Sequence, residues 1–133
     1  MGYARAGGLL GSRLGAHMTR QWTLAESRII AERVMEWQVT EQNGWLFLVD
    51  PDQRPGWMET CAVPDWPNDP AAAAMALAAL LAEGGRKAHF SYCMERREHH
   101  VALITMYGYR QGSASARDWS QAVMLAVLAG VRG

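Results

Sequence analysis

The chain has 133 residues, with 13 basic and 13 acidic side chains and two cysteines. That length makes one domain with a core of its own. Zero net charge argues against a nucleic-acid partner, and Cys61 and Cys93 alone build no disulfide framework, so a reduced cytoplasmic setting is expected.

Residues 1–19 are Gly-rich and aperiodic. They read as a flexible arm, or as an over-extended gene start with Met18 as the initiator. The second reading is preferred, because nothing in this stretch could pack as an element. A single domain is expected over residues 20–133. No secretory signal is recognisable. The longest apolar run, residues 71–82, is too short to span a bilayer, so no membrane partner is expected.

The first helix begins at Thr23. Thr23 and Glu26 have capping-box spacing, and Ile30, Ala31, Val34, Met35 and Trp37 fall on one broad apolar face. Asn43 and Gly44 then tolerate positive φ at both positions of a hairpin turn. They sit between strands expected at residues 37–40 and 45–49. The second of these is apolar on both faces, which suits burial within a sheet or between subunits. Residues 50–56 (DPDQRPG) are a turn-rich loop. Residues 58–63 read as a short edge strand ending at Pro64.

Helix two is the clearest local signal. Asp69 serves as N-cap, Pro70 occupies the first helical position, and Gly84-Gly85 ends the run. Its alanines combine high propensity with a thin surface that admits close packing. Residues 87–94 alternate as a strand, residues 95–98 form a turn, and residues 99–109 make the longest strand. Helix three is expected from about Ser115 to Ala129, with Ser115 and Asp118 as a capping pair and Gly130 as C-cap. The element order α-β-β-(β)-α-β-β-α gives an α+β fold. It is read as an α/β/α sandwich: an antiparallel sheet of four to five strands with three helices on its faces.

An opening helix ending in A-x-x-V-M-x-W (Ala31, Val34, Met35, Trp37) is followed by a loop carrying Trp66 and Asp69. Ala72, Ala73, Leu81 and Gly85 follow, and then a closing helix from Trp119 to Val127. This pattern resembles the phage ABA sandwich domain proteins, small accessory proteins of phages and prophages. The resemblance covers residues 23–131 and implies an α/β sandwich, a phage or prophage origin and a bacterial host cell. It implies no activity. Glu36 stands where that family has glycine, and the 50–64 loop is longer than the family's.

No reaction is legible. His99 and His100 are adjacent on a strand and point to opposite faces, so they do not share a metal ion. Ser91 and Cys93 share a strand face with His89, but no nucleophile elbow or oxyanion loop accompanies them. No glycine-rich phosphate loop opens a helix. A non-enzyme without metal or cofactor is therefore expected.

The six tryptophans are more informative. Trp37 and Trp119 lie on apolar helical faces and read as core. Trp57 and Trp66 lie in polar loops near Arg54, where ring and guanidinium suit a nucleotide base or a protein hot spot. The alternative is that these indoles cover the sheet edge. Arg96 and Arg97 are further candidates, at a hairpin tip. The favoured reading is a non-enzymatic accessory protein that binds a host protein or a small ligand, a nucleotide among them, in a counter-defence role. The alternative is a structural homo-oligomer.

Overall fold

The computed structural model describes residues 22–132. Both readings of residues 1–19 lie outside the described residues. The described residues form an α+β fold, with three α-helices and five antiparallel strands.

Helix α1 (Leu24–Ile29) continues into a π-helical turn at Ile30–Val34. Both halves of the Thr23–Glu26 capping box form: Glu26 N–H donates to Thr23 Oγ1, and Thr23 N–H donates to Glu26 Oε1. The helix stops at Glu36, whose φ is +59°. That left-handed conformation is the one glycine adopts at least cost.

Strands β1 (Val39–Gln42) and β2 (Trp45–Leu48) form a hairpin across Asn43 (φ +53°) and Gly44 (φ +81°). Leu46 and Leu48 are buried, whereas Trp45 and Val49 are exposed. The second strand therefore turns one face into the core; the expectation that a sheet covers both of its faces is corrected, whereas burial of the other face between subunits stays an expectation. Residues 58–63 do not become a strand. They make one isolated bridge, Phe47 to Ala62, flanked by Leu48 N–H to the Cys61 carbonyl and Val63 N–H to the Leu46 carbonyl.

Helix α2 (Pro70–Ala82) opens as its sequence indicates, with Asp69 Oδ1 accepting from the N–H groups of Ala71 and Ala72. Beyond its end, Gly84 and Gly85 have φ of +85° and +82°. Its buried stripe of Ala72, Ala73, Ala76, Leu77 and Leu80 packs on helix α3 (Trp119–Arg132).

A second sheet contains β3 (Arg86–Cys93), β4 (Glu98–Thr105) and β5 (Arg110–Ala116), in that order. The strands thus divide between two sheets instead of forming one. The strand expected at residues 99–109 ends at Thr105, where a turn closes with Gly108 at φ +86°. The chain then returns as β5, which no sequence pattern announced. Residue 115, expected to cap helix three, is within β5, and the helix begins four residues later. Gly130 lies inside helix α3, not at its end.

Helix α3 covers the sheet face that carries Val101 and Leu103, both fully buried. In register with these two are Phe90, Ala88, Ala114 and Gly112. Lys87, His89 and Ser91 point to the opposite face and are exposed.

Candidate functional site

The two loop tryptophans part company. Trp66 heads a 3₁₀ turn (Trp66–Asn68), is 1% exposed, and stacks on Trp37 with ring centroids 5.9 Å apart. The next residue locks the turn to helix α3: the Pro67 carbonyl accepts from Ser120 Oγ at 2.9 Å. Trp66 is therefore core, and its placement in a binding site is corrected. A fully buried indole contributes stability through apolar area and ring stacking and is out of reach of any partner.

Trp57 stays at the surface, 38% exposed. Its loop is held by short-range bonds. Met58 N–H donates to the Pro55 carbonyl at 3.0 Å. Arg54 reaches across the loop, with Nη1 3.1 Å from the Glu59 carbonyl oxygen. Arg54 thus braces the backbone that presents Trp57. The indole forms one wall of an open concavity of about 420 Å³, whose other walls include Met58, Val63 and Pro64.

Both charged side chains that line this concavity, Glu59 and Asp69, are acidic. One oxygen of Asp69 is already engaged by the start of helix α2. The electrostatics oppose a phosphate and favour a cationic or neutral group laid against the indole.

Arg96 and Arg97 lie elsewhere, at the β3–β4 hairpin tip. Arg96 pairs with Glu98 at 3.8 Å, an exposed contact worth little on its own. Arg97 takes φ +54° to close the turn. Hydrogen bonds from the Arg96 backbone and side chain hold the Cys93 thiol below its ordinary value. Arg54 therefore braces the loop that carries Trp57 but is not among the residues lining its concavity, and Arg96 has a role on its own hairpin.

The two neighbouring histidines do point apart. His99 packs its ring against Tyr92, 4.8 Å between centroids. His100, on the opposite face, sits 2.8 Å from Ser115 Oγ through Nδ1. That contact was hidden from sequence reasoning because Ser115 belongs to the unforeseen β5. It lies on exposed sheet surface. Among the described residues, no group of three or more His, Cys, Asp or Glu side chains could hold a metal ion, and no helix is long and apolar enough to cross a membrane.

Comparison with known proteins found no matching family model, no matching curated protein and no matching solved structure.

Proposed function

We propose that this chain is a non-enzymatic accessory protein of a phage or prophage. It acts in the host cytoplasm by binding a host protein through the Trp57 loop. The observation that carries the reading is the contrast between two tryptophans nine residues apart. Trp66 is consumed by the core, whereas Trp57 stands at the surface on a loop braced by Arg54. A pre-positioned indole loses little freedom on binding, which is why tryptophan dominates protein hot spots.

A protein partner suits this surface better than a nucleotide. The concavity is open, and its charged walls are Glu59 and Asp69; a basic residue of a partner complements them. The phage origin comes from the resemblance carried by Ala31, Val34, Met35, Trp37, Trp66 and Asp69.

Native mass spectrometry of the full chain purified from its host tests the proposal. The expected result is a retained host protein. A retained nucleotide with no protein would overturn it.

A second reading, a structural homo-oligomer, is favoured by a different observation: among the described residues, no strand pairs with the outer edge of β3.

A further inference from the structure

Among the described residues, strand β3 is an outer strand of its sheet, hydrogen-bonded to β4 on one side only. Its pairing with β4 runs without interruption from Arg86–Thr105 to Cys93–Glu98. Among the described residues nothing blunts the other edge. The strand contains no proline and no bulge, and Lys87, His89, Phe90, Ser91 and Tyr92 are all exposed. Natural proteins guard such an edge with shortness, proline, bulges or several charges; this one carries eight residues and a single exposed charge, Lys87. The opposite outer strand, β5, is different. Its register with β4 is broken between Leu103 and Ile104, and its side chains from Gly112 to Ala116 are small.

Side-chain chemistry along β3 is unusual for a free edge. Phe90 is 53% exposed and Tyr92 50% exposed, and Met94 at the following turn is 81% exposed. They follow at intervals of two, so they form one apolar row along one face. Phe90 is held in place by Trp119, whose ring lies 6.3 Å away and nearly parallel. The row is therefore preformed.

We propose that two copies of this chain pair antiparallel through β3, about a two-fold axis passing by Ser91, to make one continuous six-stranded sheet. The proposal deepens the homo-oligomer reading and uses no residue of the Trp57 concavity, so either can fail alone. Two-fold pairing brings residues of the same face opposite each other. With the axis at Ser91, Phe90 faces the partner's Tyr92, Ala88 faces the partner's Met94, and His89 faces the partner's Cys93. Aromatic pairs directly across strands are among the stabilising cross-strand combinations. The same register carries Lys87 toward the partner's Glu95, in the turn just beyond the end of β3, twice in the dimer. Neither Lys87 nor Glu95 has an ion-pair partner within the chain among the described residues. Charge complementarity at both ends thus selects a second copy of this chain as the occupant of the edge.

Sedimentation equilibrium of the full chain from ~1 to ~200 μM tests the pairing, since a small interface of this kind gives dissociation constants on the order of micromolar. The expected species at the upper end has twice the 14.7 kDa chain mass. Lys87→Glu sets like charges against each other and weakens the dimer about tenfold or more. Adding Glu95→Lys to the same chain restores it. Both substitutions are at the surface, and circular dichroism confirms that the variants fold. A wild-type chain that stays monomeric would leave the edge to some other strand and overturn the proposal. A dimer indifferent to Lys87→Glu, or a double variant no tighter than the single one, overturns it equally.

Discussion

Gly112 of β5 and Gly130 of helix α3 meet backbone to backbone. A Cβ on Gly112 would lie 2.7 Å from the Gly130 nitrogen and 3.0 Å from the Ala126 carbonyl oxygen. Strand and helix therefore approach closer than any side chain on Gly112 allows. The reverse contact is softer: a Cβ on Gly130 would meet Leu103 Cδ1 at 2.8 Å, the far end of a side chain. Gly112→Ala is expected to cost about 3 kcal/mol, because the neighbouring atoms are backbone and can move only with the helix. Gly130→Ala is expected to cost no more than about 1 kcal/mol, since better helix propensity offsets the shift of Leu103. Urea unfolding midpoints at unchanged m-value measure both.

This crossing also explains what the sequence concealed. Helix α2 was legible because its signals are local: Asp69, Pro70 and Gly84 each act within one turn of the chain. The Thr23–Glu26 box and the Asn43-Gly44 turn are local in the same way. Strand β5 (RQGSASA) was illegible because its composition answers to a tertiary contact, the packing of Gly112 on Ala126 and Gly130 of helix α3. Gly112 and the small residues beside it read as loop, yet they are what lets α3 lie against the sheet. Trp66 misled for a related reason. Its neighbours in sequence are polar and turn-forming, but its ring is placed by Trp37, 29 positions earlier, and by the tether from Pro67 to Ser120.

Glu36 offers a test in the stabilising direction. It is exposed and holds φ +59° at the end of the first helix. Glycine removes the Cβ clash at the cost of some unfolded-state entropy. Glu36→Gly is expected to raise stability by about 0.5–1 kcal/mol. Thermal unfolding followed by circular dichroism detects it as a rise in Tm.

The two thiols should differ in reactivity. Cys93 is held below its ordinary value by Arg96, so its thiolate fraction is raised, and it grows further as pH climbs toward the ordinary thiol range. Iodoacetamide at neutral pH is expected to label Cys93 before Cys61. Arg96→Ala removes the side-chain hydrogen bond and charge but keeps the larger backbone hydrogen bond, so it should slow labelling of Cys93 only in part and leave Cys61 unchanged. Peptide mapping by mass spectrometry at timed quenches reads both sites in one experiment.

Stability separates the loop tryptophans. Trp66→Ala removes a fully buried indole stacked on Trp37 and is expected to cost about 3–5 kcal/mol. Trp57→Ala removes an indole that is 38% exposed and should cost about 1–2 kcal/mol, less than Trp66→Ala. Equal losses would mean that the Trp57 loop is part of the core.

The most direct test of the proposed function is retention of the host partner by the Trp57→Ala chain, measured by affinity capture beside the wild type. A partner held by the wild-type chain is expected to be lost about tenfold or more from the variant, while circular dichroism shows the variant folded. A partner retained equally by both chains would contradict the assignment of Trp57 as the recognition surface.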